Sequence, residues 1–323
     1  MPRTLPREPA VSILVPAYNS EAYLAETLQS ALAQTFDDFE LVIVDDGSTD
    51  GTVAVAQRFA HQDPRIRIIQ QRNQGVSAAR NRALAEARGQ FFALLDSDDL
   101  WTPEYLAEQM RVFASVRPDV AIVSANALNL GGQLDGTLWR RVAPGLYPID
   151  LLTLIRVEDS VCILSVFRRS VFDCIGGFDT SLKQGSEDYD FWLRAAARGF
   201  TIVFNGTPLG FYRRRPDSMS ADEARMLTAI QRPLLKLRAT MAEGSPEVAA
   251  IDAQIKRFER ERLMSEAKLA LLANDLISAR RIFRLLEDNR TVKHRLLSFI
   301  AERLPSILAR AYWWKRAAHT PFG

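Results

Sequence analysis

The sequence predicts an α/β fold, with a mostly parallel central sheet flanked by helices over residues 1–220 and an α-helical C-terminal extension over 221–323. Three observations point there. From residue 11 onward, short apolar, β-branched runs alternate with segments of helical periodicity, the pattern of βαβ units with right-handed crossovers. Several of the runs stop abruptly at polar or acidic clusters, as strands do when their carboxyl ends meet at one sheet edge. Beyond residue 221 the strand pattern gives way to helical spacing throughout.

The chain of 323 residues is long enough to bury a full core, and its 47% hydrophobic and 25% charged content is that of an ordinary soluble protein. No stretch approaches the ~18 uninterrupted apolar residues of a membrane span. The N-terminal run Met1-Pro2-Arg3-Thr4-Leu5-Pro6-Arg7-Glu8-Pro9 has no apolar core, so no signal peptide is read and a cytoplasmic location is expected. Two cysteines, Cys162 and Cys174, lack metal-ligand or redox spacing and read as small buried hydrophobes. The net charge of +2 hides an asymmetry: residues 221–323 hold 19 Lys/Arg against 12 Asp/Glu, and residues 1–220 hold 22 against 27. An acidic body suits a metal and gives no reason to expect nucleic acid, whereas a basic tail suits an anionic surface.

Val11-Ser12-Ile13-Leu14-Val15 is the first strand, ending at Pro16-Ala17-Tyr18-Asn19 because proline does not join a central ladder. Ser20 is placed to cap a helix carrying Leu24, Leu28, Ala31 and Leu32. Phe39-Glu40-Leu41-Val42-Ile43-Val44 is a second strand that runs into Asp45-Asp46-Gly47-Ser48-Thr49-Asp50-Gly51. A helix over 52–60, a third strand at Ile66-Arg67-Ile68-Ile69 and a helix opened by Gln74-Gly75-Val76-Ser77 follow. Next comes Phe91-Phe92-Ala93-Leu94-Leu95, an apolar run that meets Asp96-Ser97-Asp98-Asp99. Carboxylates so close repel one another unless a cation relieves them, and oxygen ligands favour Mg²⁺ or Mn²⁺. The spacing alone fits equally an acidic turn before a helix with Thr102 as N-cap and Pro103 at its first position. Neither G-x-G-x-x-G after the first strand nor G-x-x-x-x-G-K-[ST] occurs, so Rossmann-cofactor and P-loop readings lack their phosphate cradles.

In order, Pro16-Ala17-Tyr18-Asn19, Val44-Asp45-Asp46-Gly47-Ser48-Thr49-Asp50, Gln74-Gly75-Val76-Ser77-Ala78-Ala79-Arg80-Asn81 and Asp96-Ser97-Asp98-Asp99 resemble the signature of inverting family 2 glycosyltransferases of the GT-A fold, a Rossmann-like architecture. The resemblance covers about the first two-thirds of the chain. It implies a nucleotide-diphosphate sugar donor over these loops, bounded by Pro16, Ala17 and Tyr18. Asp46, with Asp45 beside it, would accept a hydrogen bond from the base, and Arg80 would sit near the ribose or phosphates. Asp98 and Asp99 would hold Mn²⁺ or Mg²⁺ on the diphosphate, with Asp96 and Ser97 adjoining. The alternative for Asp45 and Asp46 is a turn capping the helix at Thr52.

Further on, Val120-Ala121-Ile122-Val123-Ser124-Ala125 reads as a strand and Gly131-Gly132-Gln133-Leu134-Asp135-Gly136 as a turn-rich excursion. Gly185-Ser186-Glu187-Asp188-Tyr189-Asp190-Phe191-Trp192-Leu193-Arg194 resembles the family's Glu-Asp motif at a helix start, which supplies the general base. Asp188 is the expected base and Glu187 its rival; Ser186 as N-cap is the plain reading, and both hold together. Asp190 is expected to be structural, and Trp192 and Leu193 to be core. After a strand over 199–204, the run Phe211-Tyr212-Arg213-Arg214-Arg215 looks like the family's closing loop. Many members carry a histidine at the position of Arg215. Arginine does not ligate a metal but matches diphosphate oxygens, which puts a third protein ligand in doubt; the alternative is a solvated loop.

The C-terminal region reads as helices over 226–241, 248–272 and 276–286 with a break at Gly244-Ser245-Pro246, the last two forming an antiparallel pair. Residues 290–318 interleave seven Lys/Arg with Leu296, Phe299, Ile300, Trp313 and Trp314 against the single acid Glu302. That mixture suits a helix on an anionic membrane surface at the cytoplasmic face, or equally one docked on the body or on a second subunit as a homodimer. The expected acceptor is a glycan or lipid-linked intermediate. A catalytically silent carbohydrate-binding or scaffold protein of the same fold is the rival reading, and a nucleotidyltransferase the third. Retention of mutually repelling acids at Asp46, Asp98, Asp99 and Asp188 argues against a silent site.

Overall fold

The computed structural model describes residues 8–183, 185–215, 218 and 223–285. Its centre is a nine-stranded mixed sheet. The first half is parallel: β1 (Val11–Ala17), β2 (Phe39–Asp45), β3 (Ile66–Gln70) and β4 (Phe91–Leu94) stand in the order β3-β2-β1-β4. The crossovers are α1 (Glu21–Leu32), α2 (Thr52–Ala60) and α3 (Val76–Glu86). β1 and β2 are buried at every position, so their near-continuous apolar runs are explained by helices on both faces. Strand order reverses at β1, and the crevice between the carboxyl ends of β1 and β4 is where such sheets place ligands.

Pro16 does not end the first strand as expected. It lies within β1, in register with Val44. Leu14 O accepts from Leu95 N, so by alternation the nitrogen of Pro16 also faces β4, whose pairing with β1 has stopped at Leu14 and Leu94. The missing N–H therefore has no ladder partner to lose.

The chain continues through β5 (Leu100–Trp101), α4 (Tyr105–Ser115), β6 (Val120–Leu130), β7 (Leu146–Ile149), α5 (Leu151–Arg156), β8 (Ser165–Arg168), α6 (Arg169–Ile175), α7 (Glu187–Ala197) and β9 (Thr201–Arg213). β8 inserts antiparallel between β4 and β6, and β9 pairs with β5, β6 and β7. β6 and β9 run well past the expected segments, so Phe211, Tyr212 and Arg213 are strand residues rather than loop. Thr102 and Pro103 precede a turn instead of starting the helix: Tyr105 N donates to Thr102 O, and α4 begins at Tyr105. Cys162 is buried as expected, whereas Cys174 faces solvent from the last turn of α6.

Four helices follow: α8 (Glu223–Ala229), α9 (Gln231–Arg238), α10 (Pro246–Leu272) and α11 (Leu276–Leu285). The single helix expected over 226–241 is two, because Pro233 lacks the N–H that a continuous helix would need there. Ser245 caps α10, its hydroxyl accepting from Val248 N at 3.2 Å, with Pro246 at the first position. Leu234, Leu237, Ile251 and Phe258 are buried in the same core as the sheet. Farther out, Ala267, Leu271 and Ala279 hold α10 and α11 together as the expected pair. Among the described residues no helix is long and apolar enough to cross a membrane. The basic, tryptophan-bearing stretch 290–318 lies outside the described residues.

Candidate active site

A cleft of about 800 Å³ opens at the carboxyl ends of β1, β2 and β4 and extends to the start of α7. Pro16, Ala17, Tyr18, Asp46, Arg80, Asp96, Ser97, Asp98, Asp99, Glu187, Asp188 and Arg215 all border it. Asp45 does not: it is buried at the end of β2, where its Oδ1 accepts from Ser48 N at 3.3 Å and shapes the turn. The helix at Thr52 is secured instead by Asp50, whose Oδ1 accepts from Thr52 N at 3.0 Å and Thr52 Oγ1 at 2.5 Å.

On the β2 side, Asp46 ties down the loop between β3 and α3. Its Oδ1 accepts from Gln71 Nε2 at 2.7 Å and Gln74 N at 3.0 Å, and its Oδ2 from Gly75 N at 2.7 Å. A carboxylate has about four lone-pair sites, so Oδ2 keeps one for a ligand. Gly47 makes the close approach possible. It sits at φ 79°, and a Cβ there would come within 2.8 Å of Asn73 N. Tyr18 lies half exposed at the mouth, and Ser97 knits the two walls through a 2.7 Å hydrogen bond with Ser20 Oγ. Ser20 Oγ also donates to Tyr18 O at 3.2 Å, so its hydroxyl is taken up by Ser97 and Tyr18 and makes no side-chain cap for α1.

Arg80 joins the acid loop to α7. It is 3% exposed and donates to Asp96 Oδ1 at 2.7 Å and to Glu187 Oε1 at 2.6 Å, with its guanidinium over the Phe178 ring. Burial disfavours its charge, but Asp96 and Glu187 more than offset that and its pKa is raised. The neighbouring Asn81 donates to Phe178 O and accepts from Phe178 N, which leaves no room for a side chain at Gly177. Sequence reasoning placed Arg80 beside the donor; both of its terminal nitrogens are engaged by carboxylates, which makes it a strut between the two halves of the cleft.

The two acids at the head of α7 sit in different environments. Glu187 is 5% exposed and held by Arg80. Asp188 is half-buried, and burial, then the charge of Glu187, push its pKa up to about 6, Arg80 offsetting part of the effect. A carboxylate with that value accepts a proton readily near neutral pH. Asp190 is structural, pairing with Arg194 and Lys236 at 2.7 Å each. Trp192 and Leu193 are core. Ser186 occupies the N-cap position at φ 69° but makes no capping hydrogen bond.

Burial and the charge of Asp96 raise the pKa of Asp98, with Arg215 opposing them; burial, then Asp98 and Asp96, raise that of Asp99 well above the usual range. Arg215 Nε lies 3.3 Å from Asp98 Oδ2. Arg213 was not singled out in the sequence, yet its N donates to Asp99 Oδ1 at 2.8 Å, its Nε to Asp98 O at 2.7 Å and a terminal nitrogen to Glu26 at 2.7 Å. The signal that would have found it is the length of β9, which carries Arg213 to the acid loop. Among the described residues no three His, Cys, Asp or Glu side chains form a ligand shell. Two hard carboxylates on an open cleft nonetheless fit Mg²⁺ or Mn²⁺, which takes one or two protein carboxylates and completes its shell with phosphate oxygens and water.

This architecture has relatives. Mannosyltransferase PcManGT from Pyrobaculum calidifontis, solved with GDP-Man and Mn²⁺, superposes with a TM-score of 0.62 over 96% of this chain and 86% of its own, at 19% identity, which establishes a shared fold. Chondroitin synthase from Escherichia coli is 33% identical over 201 residues, 61% of this chain but 28% of the synthase, so the chain spans under a third of that relative. TuaG of Bacillus subtilis (strain 168), named as a teichuronic acid biosynthesis glycosyltransferase, is 30% identical over 226 residues, 67% of this chain and 83% of TuaG. The family model Glycosyl transferase family 2 matches residues 12–176, the stretch that contributes Tyr18, Asp46, Arg80 and the acid loop, and with TuaG matched over most of its length the chain belongs to glycosyl transferase family 2.

Proposed function

We propose that the protein transfers a sugar from a nucleotide-diphosphate donor to a hydroxyl of a glycan or lipid-linked acceptor, with inversion at the anomeric carbon. The observation behind it is that one cleft joins Tyr18, Asp46, Asp98 and Asp99 to Asp188 through the Arg80 strut. In this reading the base lies against Tyr18 and hydrogen-bonds the remaining lone pair of Asp46 Oδ2. The diphosphate lies toward Asp98 and Asp99, which would hold Mn²⁺ or Mg²⁺. A divalent cation there offsets the charge that develops on the departing diphosphate. Arg215 exchanges its pairing with Asp98 for diphosphate oxygens, which its guanidinium matches. Asp188 takes the proton of the acceptor hydroxyl as that oxygen bonds to the anomeric carbon and the bond to the diphosphate oxygen breaks. Glu187 keeps Arg80 charged and in place rather than serving as base. Chondroitin synthase and TuaG among the relatives agree with an acceptor in polysaccharide assembly. We further read residues 290–318 as a segment that rests on an anionic membrane at the cytoplasmic face, on their composition alone.

A thermal-shift panel of UDP- and GDP-sugars with and without Mn²⁺ tests the donor, since a tight ligand raises the melting temperature by mass action. A stabilising nucleotide sugar, together with Mn²⁺-dependent release of nucleoside diphosphate that Asp98→Ala abolishes, is the expected result. Release that is independent of Mn²⁺ and unchanged in Asp98→Ala sinks the metal assignment, and pyrophosphate as product sinks the transferase reading.

A further inference from the structure

Three successive carbonyls of the acid loop are held by different parts of the fold. Asp96 O accepts from Asp99 N at 3.1 Å and closes the turn, and Ser97 O accepts from Thr27 Oγ1 on α1 at 3.0 Å. The third, Asp98 O, accepts from Arg213 Nε at 2.7 Å. Arg213 reaches it because β5 follows the acid loop directly and pairs antiparallel with β9, with Leu100 opposite Phe211, which brings residue 213 alongside Asp98 and Asp99. Its own N donates to Asp99 Oδ1 at 2.8 Å, so the main chain of β9 engages one oxygen of that carboxylate.

The far end of the Arg213 side chain is anchored to α1. A terminal nitrogen donates to Glu26 Oε2 at 2.7 Å, and the guanidinium carbon lies 5.0 Å from the centre of the Tyr23 ring, within cation–π range. Arg213 is 16% exposed at its side chain, so this bridge runs beneath the surface and only Glu26 stands out in solvent. One planar fork of fixed donors therefore joins α1, β9 and the acid loop, which a single ammonium on a flexible stem does not reproduce. Its charge also offsets the mutual repulsion of Asp96, Asp98 and Asp99. Arg215 stands differently. It meets Asp98 at the carboxylate, 3.3 Å from Oδ2, and so lies where a cation would bind, whereas the Arg213 side chain takes only the main-chain oxygen of Asp98.

We propose that Arg213 is a positioning residue for the cation site: it fixes the main chain of Asp98 and, through Glu26 and Tyr23, ties the acid loop to α1, so that Asp98 and Asp99 hold one arrangement before a divalent cation binds. Preorganisation of this kind strengthens binding because the loop is not left to be ordered in the binding step. The inference rests on the reading of Asp98 and Asp99 as the protein ligands of the cation.

The test is Mn²⁺ uptake by the full chain, read from the EPR signal of the free ion in the presence of UDP or GDP and well below the melting temperature. Arg213→Met keeps the stem and removes the fork; it should weaken Mn²⁺ binding by roughly 10–100-fold while the affinity for the same nucleotide without Mn²⁺ stays as in wild type. Arg213→Lys, which supplies one donor for Asp98 O, should recover part of the loss. Glu26→Ala frees only the exposed end of the bridge and should weaken Mn²⁺ binding about threefold, with no added effect in the Arg213→Met background. Wild-type Mn²⁺ affinity in Arg213→Met, or Mn²⁺ and nucleotide affinities that fall together, overturns the positioning role. If Arg213→Met does not fold, Glu26→Ala decides, and an unchanged Mn²⁺ affinity there overturns it. A wild-type chain that binds UDP or GDP but takes up no Mn²⁺ with either overturns the cation reading itself, a result separate from a loss confined to the variants.

Discussion

Replacing Asp188 with asparagine should make the protein both less active and more stable. The ordinary carboxyl value of 3.8 is raised to about 6 by burial and by Glu187. That difference corresponds to at most about 3 kcal/mol, before a discount for the solvent that reaches a half-buried group. The sign follows from the direction: a group whose folded pKa lies above its unfolded one binds its proton more tightly when folded. Its contribution is present below pH 3.8 and is lost as pH rises through about 6, so at pH 8 the ionised Asp188 weakens the fold. Asparagine removes that penalty, and the melting temperature at pH 8 should rise by roughly 2–4 °C, with little change at pH 4. Loss of the base should lower kcat/KM by roughly 10²–10⁴, and the wild-type kcat/KM should climb with pH through a midpoint near 6. Thermal unfolding at the two pH values and a transfer-rate profile measure both. A variant that melts lower at pH 8, or that keeps more than a tenth of wild-type activity, would refute the assignment of Asp188 as a buried base.

Arg80→Gln should behave in the opposite way, since it strands the buried Glu187 and leaves Asp96 unpaired; a loss of about 3–5 kcal/mol in chemical denaturation is expected, and unchanged stability would show that the strut bears no load. Asp46→Asn places an amide where an oxygen accepts from the β3–α3 loop, and should cost about 1–3 kcal/mol while weakening nucleotide binding measured by calorimetry; intact affinity would remove Asp46 from the base site. Lys236→Met leaves Asp179 and Asp190 without their shared cation. Asp179, whose pKa is lowered to about 2 against burial by its bonds to Lys236 and Ser181, should then titrate higher by NMR, and an unmoved titration contradicts the pairing. Deleting residues 290–323 should release the protein from anionic vesicles in a pelleting assay, and equal pelleting of both forms argues for docking on protein instead.

Much of the fold was legible because burial dictates composition at strand positions. The runs at 11–15, 39–44 and 66–69 and the helix over 52–60 appear where periodicity put them. The acids at Asp46, Asp96, Asp98, Asp99 and Asp188 were legible as well, since carboxylates at the ends of buried strands and at a helix start are conspicuous in sequence and share one cleft in the fold. What sequence left open depends on partners far along the chain. Glu187 and Asp188 look alike in sequence, and only the reach of Arg80 from 107 residues away draws Glu187 into an ion pair and leaves Asp188 outside it. Asp45 and Asp46 are likewise separated by strand alternation, which turns one into the turn and the other into the cleft. Arg213 was not singled out within a run of three arginines expected to contact phosphate, with a solvated loop as the alternative, and only the full length of β9 brought it to the acid loop. Sequence by itself determined which residue types bury and which side chains bear charge, because those follow from solvation and local periodicity. The tertiary structure alone decided which charges are paired and which groups are left without a partner, because pairing needs atoms within about 3 Å and that proximity is set by long-range packing.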